Sequence, residues 1–518
     1  MVFPLAECAV LLHPDDDVAV LTRASAAGDA IEHRGTRLVL TADVPMGHKV
    51  ALRGRRAGDS VRKYGQVIGI ATRDIARGDH VHLHNLGMGV RREGYEFGTD
   101  LRPPAAPPAD DPTTFDGYLR GDGRVGTRNY VAVLSTVNCS ASAVRAIVAE
   151  ARRRLLPDFP GVDGIIGLTH KNGCAAPIGG DDYRQLQRVI AGHLDHPNVA
   201  AALVVGLGCE GNQAAALVED AGLVRIAAPG EANGGPPILT LQDEGGLASG
   251  VERGVAALAR LLPAANRARR TSQPLGALVV GLQCGGSDGA SGITANPALG
   301  VAMDRLVAHG GTAVLAETPE VYGAEHLLTR RAVSRQVGEA LVERIRWWEW
   351  YTGVWGATLD SNPAPGNKAG GLTTIWEKSL GAVAKGGTTP LAQVCRYAER
   401  VTARGLVFMD SPGYDPISAT GIVAGGATLV AFTTGRGSCY GCVPSPSLKI
   451  ATTTGLFERM RGDMDIDAGV VLAGAPLATV GDAIFRALVA MASGGKSKSE
   501  AQGIGEEEFA PWVLGPVL

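Results

Sequence analysis

Runs of small and branched apolar residues, closed off by glycine-rich or polar turns, recur along the chain and predict buried strands. Short ones occur at Asp17-VAVLT, Thr36-RLVLT, Lys49-VALR and Gln66-VIGIAT, so a small β-rich domain is expected over residues 1–100. The stretch Leu101-RPPAAPPADDPTT is rich in Pro and Asp and lacks apolar periodicity, which predicts a stiff linker over 101–115. From 116 to 265, strand-like runs alternate with helical patterns such as Ser142-AVRAIVAEARRRLL, the grammar of a parallel sheet flanked by helices. A basic, polar connection, Ala264-ANRARRTSQPLG, leads to a larger α/β domain expected over 274–492. The end of the chain, 493–518, is polar and expected to be mobile, with Pro511-WVLGPVL able to dock.

Four of the strand-like runs stop at a cysteine in a turn: Tyr130-VAVLSTVN-Cys139, Gly164-IIGLTHKNG-Cys174, Ala201-ALVVGLG-Cys209 and Ala277-LVVGLQ-Cys284. In open α/β sheets, ligands bind in the loops after the carboxyl ends of strands. Thiols placed there beside His170, Glu210 and Asp288 point to a metal-assisted site. The alternative is four buried, inert cysteines, since free Cys is among the most buried residue types. The same pattern repeated four times favours chemistry.

Composition narrows the partner. At 518 residues the chain is too long for one core. Lys+Arg 49 against Asp+Glu 52 gives a net charge of -3, which provides no electrostatic footprint for nucleic acid or an anionic membrane. A small molecule is therefore expected. Seventy-one glycines and only 5% aromatics suit a site built from tight turns. Eight cysteines in so long a chain suggest reduced thiols in the cytoplasm. No stretch approaches the roughly 18 apolar residues of a membrane span.

Further clusters carry candidate chemistry. Gly47-His48-Lys49 and His80-Val81-His82-Leu83-His84 suit metal binding or proton transfer if alternate positions share a strand face, or else a solvated edge. Cys174, Cys209 and Glu210 are ligand types for zinc or ferrous iron, although their spacing is not that of a zinc ribbon. Arg128 before a strand can hold a carboxylate or a surface ion pair. Glu317-Thr-Pro-Glu320 after a strand is either an acid/base pair or a set of turn acids. Glycine-rich loops bearing Asn367, Lys368, Lys378, Lys385 and Arg436 make a cradle for a polyhydroxy acid anion. The glycine spacings do not open a dinucleotide fingerprint, and there is no Walker motif. Cys439-Tyr-Gly-Cys442 is a lone C-x-x-C, and Trp347-Trp348-Glu349-Trp350 reads as core or interface packing before a binding platform.

The chain resembles the altronate/galactarate dehydratase family of sugar-acid dehydratases. The resemblance rests on Val44-PMGHKVALR and Lys63-YGQVIGIATRDIARGDHVHLHN in a first domain of SAF type, then on Gly123-RVGTRN, Thr169-HKNGC, Gly206-LGCEGNQ, Gly281-LQCGGSDGASGITANPALG, Asn362-PAPGNKAGGLTT and Phe432-TTGRGS. It implies removal of water from a hexonate or hexarate to give a 2-keto-3-deoxy acid, with a divalent metal, commonly Fe2+, with Mn2+ as the alternative. The histidine cluster is similar to that of altronate dehydratases, which implies D-altronate going to 2-dehydro-3-deoxy-D-gluconate; galactarate is the runner-up. A sugar-acid binding protein without turnover and a sulfo-lyase remain as other readings. Cys439 and Cys442 fall outside the pattern.

On this resemblance the metal is expected near His48, His82 and His84, with Cys174, Cys209 or Glu210 as further ligands. His170 or Glu317 would act as base or acid, with Lys368 and Arg436 orienting the anion and Arg128, Asp288, Asn367 and Lys385 completing the substrate contacts. Convergence of Cys139, Cys174, Cys209 and Cys284 would instead point to an iron–sulfur cluster. A homodimer is expected for a chain of this size.

Overall fold

The computed structural model describes residues 2–90, 94–174, 178–220 and 235–513. The first domain is β-rich, as the short alternating runs require. Its central four-stranded antiparallel sheet comprises Ala9–Val10, Val18–Leu21, Lys49–Ala51 and His80–Val81, and two three-stranded sheets flank it. Lys49–Ala51 pairs with His80–Val81, Val50 opposite His80, which brings the two histidine-bearing segments side by side.

The chain enters and leaves the second domain through a stem in which Thr114–Leu119 runs antiparallel to Thr271–Pro274, with Val125–Gly126 as the third strand of the sheet. Part of the basic connection after Ala264 is therefore a strand. Between the two stem strands lies a parallel sheet of β1 (Tyr130–Ser135), β2 (Gly164–Leu168), β3 (Val199–Gly206) and β4 (Ile238–Thr240), in the order β2-β1-β3-β4. The helices α1 (Ala141–Arg154), α2 (Asp181–Leu194) and α3 (Leu247–Ala265) cover it. Val131 to Leu134 are wholly buried, which explains why these strands read as unbroken apolar runs.

The third domain carries seven parallel strands: β5 (Val279–Cys284), β6 (Thr312–Leu315), β7 (Leu391–Cys395), β8 (Gly405–Met409), β9 (Leu429–Thr434), β10 (Ser447–Ala451) and β11 (Ile466–Asp467). Their order is β7-β8-β6-β5-β9-β10-β11, so the chain first builds outward from β5 on one side and then crosses to the other. A topological switch point thus lies at the carboxyl end of β5, where Cys284 stands. Helices α4 (Ala295–Ala308) and α7 (Leu477–Ala492) pack together, and α5 (Arg335–Val354) carries the tryptophans. Trp348 is fully buried, stacks on Trp512 with ring centroids 5.4 Å apart and donates Nε1–H to Asp410 at 2.8 Å. That cluster is core.

Trp512 belongs to the terminal segment expected to be mobile. There Lys498–Ala501 is helical, and Phe509 and Trp512 are buried, so apolar anchors tie 497–512 to the fold. The last five residues of the predicted docking segment, 514–518, lie outside the described residues.

Two devices fasten the first domain to the third. Val18, Ile68, Val81 and Leu86 share one apolar cluster with Val280, Leu282 and Leu380. Glu377 of α6 (Ile375–Ala382) accepts hydrogen bonds from Lys49 and Lys63, both at 2.9 Å, with all three side chains buried. Removing one member of such a buried ion set costs about 3–5 kcal/mol, because the others are left buried and uncompensated. Burial brings Lys49 down to about 8, since one carboxylate serves two ammonium groups.

Candidate active site

The loops that end β5 and β6, together with the first domain, assemble two groups of ionisable side chains. In the first, the ligand nitrogens of His48, His80 and His82 all lie within 4.8 Å of one another. His48 Nδ1 is 3.0 Å from His80 Nε2, and His48 Nε2 lies 3.3 Å from the Ala369 carbonyl oxygen of the third domain. Asn85 folds the turn that presents His82, accepting from the His82 N–H at 2.9 Å and donating to the His80 carbonyl at 3.0 Å. Burial lowers all three imidazoles, His80 to about 4 and His82 to about 3, with neighbouring His and Lys49 charges adding to the effect. They are therefore neutral, the form that ligates metal.

His48 also lines a cavity of about 360 Å³ between the first and third domains, with Met46, Asp288, Gly370, Arg436 and Arg459. Arg436 and Arg459 are exposed there. Asp288 is held by its own loop: Oδ1 accepts from Ala290 N, Ser291 N and Ser291 Oγ, and Oδ2 accepts from Thr452 Oγ1. Gly289 is packed so tightly on Gly47 that a Cβ would meet the Gly47 carbonyl oxygen at 1.9 Å, so only glycine lets the two domains close here.

The second group is enclosed. Cys284 Sγ lies 3.6 Å from Glu317 Oε2 and 3.4 Å from Glu320 Oε2. Lys378 donates to Glu320 at 2.6 Å and to Asn362 at 2.8 Å, Lys385 approaches Glu317 at 3.4 Å, and Gln283 donates to Glu317 at 2.6 Å. Glu317 adopts φ 70°, a left-handed conformation that costs a non-glycine residue about 1–3 kcal/mol and is concentrated at functional sites. Burial and the Glu320 charge raise the Glu317 carboxyl above its ordinary range, and burial and Glu320 do the same to Asp415. Glu320 is lowered: burial opposes this, but the Lys378 and Lys385 charges prevail. Burial also raises the Cys284 thiol. Burial and the neighbouring charges thus favour the proton on Glu317 over Glu320, which faces Lys378.

The remaining predicted residues fall elsewhere. His84 is outside the imidazole triad, although its ring centroid is 5.4 Å from that of His80; His80 takes the expected place because the strand ends at Val81 and the two-residue alternation is lost. Cys174, Cys209 and Glu210 do not join the histidines. Glu210 is a turn buckle, accepting from Thr136 Oγ1 at 2.7 Å, Leu207 N at 3.1 Å and Gly208 N at 2.7 Å. His170, on the second domain, is engaged at both ring nitrogens, by Ser135 O at 3.0 Å and by Asn172 N at 3.2 Å, and burial lowers it to about 4. Arg128, expected to hold substrate, is a buried strut bound to Glu500 and to the carbonyls of Thr127, Met491 and Gly495. Asn367 ties its loop to the Ser287 carbonyl at 2.8 Å, and Lys385 belongs to the enclosed group, so neither lines the cavity. Lys368 sits half-buried beside Ala369, which does line it.

Comparison with known proteins places this arrangement. Models of three consecutive domains match: "Altronate/galactarate dehydratase SAF domain" over 7–89, "D-galactarate dehydratase/Altronate hydrolase, second domain" over 117–266, and "D-galactarate/Altronate dehydratase, C-terminal" over 275–517. The chain belongs to the altronate/galactarate dehydratase family. This hydro-lyase is 35% identical over 468 residues to altronate dehydratase of Bacillus subtilis, covering 89% of this chain and 90% of the relative. It is 38% identical over 495 residues to galactarate dehydratase (L-threo-forming) of Escherichia coli, covering 94% and 93%. The (2R)-sulfolactate sulfo-lyase subunit beta of Chromohalobacter salexigens is 31% identical over 408 residues, covering 76% of this chain and 96% of that one. In the dehydratase described here, no helix among the described residues is long and apolar enough to cross a membrane.

Proposed function

We propose that this dehydratase removes water from a hexonate, D-altronate, to give 2-dehydro-3-deoxy-D-gluconate. The observation that carries the reading is that His48 belongs at once to the imidazole triad and to the wall of a cavity that Arg436 and Arg459 also line. A cavity of about 360 Å³ lies within the range that small-molecule sites occupy, roughly 300–1,000 Å³. The two guanidinium groups suit a carboxylate, which they bind through paired N–H donors.

The triad fits a divalent ion. Its nitrogens are close and neutral, His82 Nδ1 is buried without a hydrogen-bond partner, and His48 can turn Nδ1 to an ion while Nε2–H donates to Ala369, the outer support that ligating imidazoles require. Bound there, Fe2+ or Mn2+ would supply Lewis-acid stabilisation of the negative charge that develops when the proton next to a carboxylate is removed.

Elimination also needs one group that lacks a proton, to take it from C2, and one that has a proton to give to the departing C3 hydroxyl. Glu320 and Glu317 are such a pair, their environments pushing the two carboxyls in opposite directions. Neither lines the cavity, whereas Asp288 of the adjoining loop does and Cys284 touches both, so the reading requires the intervening Gly285-Gly286 turn to open towards the cavity. The resulting enol tautomerises to the 2-keto acid.

The test is formation of 2-keto-3-deoxy acid from D-altronate and, separately, from galactarate, under anaerobic conditions with ferrous iron and with a chelator. Chelator-sensitive turnover of altronate supports the reading, and turnover of galactarate alone transfers the mechanism to the hexarate, which the 38% identity to a galactarate dehydratase keeps as the runner-up. Absence of product from both removes it.

A further inference from the structure

We propose that Cys139, Cys174 and Cys209 of the second domain bind a [4Fe–4S] cluster through three thiolates. All three thiols are exposed, whereas Cys8, Cys395 and Cys442 are buried in apolar clusters. They follow β1, β2 and β3, which are neighbours in the sheet, at one and the same carboxyl edge. Adjacent strands lie about 4.8 Å apart, so three such strands hold their loops within about 10 Å.

Backbone bonds draw the loops closer. Asn138 N donates to the Asn172 carbonyl at 3.0 Å, joining the Cys139 turn to the Cys174 loop, and Gly211 N donates to the Cys174 carbonyl at 2.8 Å, joining that loop to the Cys209 turn. Asn212 donates Nδ2 to the Thr136 carbonyl at 3.1 Å and so ties the third loop back to the first. The Asn212 Oδ1 atom is buried with no partner among the described residues, an acceptor that a water or hydroxyl on the open iron would satisfy, since the sulfurs themselves donate nothing.

Two features choose a cluster over a single ion. Four-coordinate zinc with bonds of about 2.3 Å needs sulfurs roughly 3.8 Å apart. These three thiols are absent from the groups of described residues whose ligand atoms all lie within 4.8 Å, a spread too wide for a single zinc and compatible with the larger cluster. Among the described residues, the nearby carboxylate and imidazole, Glu210 and His170, do not complete the set either, because they spend their polar atoms on the loops themselves. Gln242 Nε2 donates to Cys209 Sγ at 3.6 Å, the kind of N–H···S contact that tunes cluster potentials. The 14-residue α1 begins two residues after Cys139, so its positive end faces the anionic ligands. On ligation each thiol gives its proton to solvent and its thiolate displaces one exogenous thiolate from an iron of the assembled [4Fe–4S]2+ core, with no change in oxidation state. One iron is left without a protein ligand, open to a hydroxyl or water.

The full-length protein would be reconstituted anaerobically with ferric iron, sulfide and a thiol that reduces part of that iron, desalted, and examined by visible absorption, electron paramagnetic resonance after dithionite reduction, and iron and sulfide analysis. The expected result is a brown protein holding about four acid-labile sulfides per chain, with iron matching the sulfide apart from at most one further iron for the histidine triad, and with the signal lost in C139S/C174S/C209S and retained in C284S. Each single variant, C139S, C174S and C209S, is expected to lose most of the colour, which keeps the test decisive if the triple variant fails to fold. A colourless wild type, iron without sulfide, or a chromophore that survives C209S would overturn the proposal. Because no substrate is added, the outcome is independent of the dehydration reading.

Discussion

The carboxyl edges of the two parallel sheets begin from the same local pattern, an apolar strand running into a cysteine turn, and end as opposite environments. On the second domain, Cys139, Cys174 and Cys209 face solvent on loops stitched together by backbone bonds. On the third, Cys284 is buried with Glu317, Glu320, Lys378 and Lys385, and its thiol is held protonated. A strand ending places a side chain; the groups that close over it decide its chemistry. The exposed edge suits soft ligation, and the enclosed edge stores a proton.

That contrast can be broken at several points. Glu317→Gln keeps shape and removes the proton carrier, so turnover of the sugar acid is expected to fall by about 10²–10⁴ with the circular dichroism spectrum unchanged. Equal turnover in the variant would take the enclosed group out of the chemistry. Lys378→Met leaves Glu320 as a buried, uncompensated charge, and chemical denaturation is expected to show a loss of about 3–5 kcal/mol.

The pH dependence of stability sharpens the same point. Folded Glu317 holds its proton where the unfolded chain has already released it. Its contribution is therefore complete below the ordinary carboxyl value of 4.5 and is lost as the pH rises through the raised folded value. Denaturant midpoints measured across that interval are expected to decline in the wild type and to decline less in Glu317→Gln. The smallest effect belongs to the other edge: Cys209→Ser in iron-free protein is expected to shift stability by no more than about 0.5 kcal/mol, since the thiol is exposed. A larger loss would mean that this edge, too, is packed.

Periodicity made much of the frame legible. The β-rich first domain, the parallel sheets and the cysteine-ended strands follow from apolar runs and turn residues, and Glu317 and Glu320 stood out because paired acids followed a strand. Other features could not be seen from spacing. Lys49 and Glu377 are 328 positions apart, and nothing local marks them as partners. The alternation of His80, His82 and His84 predicted a shared face, but the strand stops at Val81 and the turn capped by Asn85 puts His82, not His84, against His48. Arg128 carried the chemistry of an anion binder and became a strut, because Glu500 and three carbonyls reached it first.

By itself, then, the sequence determined which residues form strands, where those strands end, and which reactive side chains stand at the ends, since these depend on side-chain size, polarity and spacing over a few residues. The tertiary structure alone decided which of them are charged, paired or open. Burial and the approach of distant charges set the protonation of Glu317 and Glu320, the neutrality of the three imidazoles, and the difference between Cys284 and the three thiols on the neighbouring domain. Those energies come from desolvation and from distances of a few ångströms between groups that the chain keeps far apart.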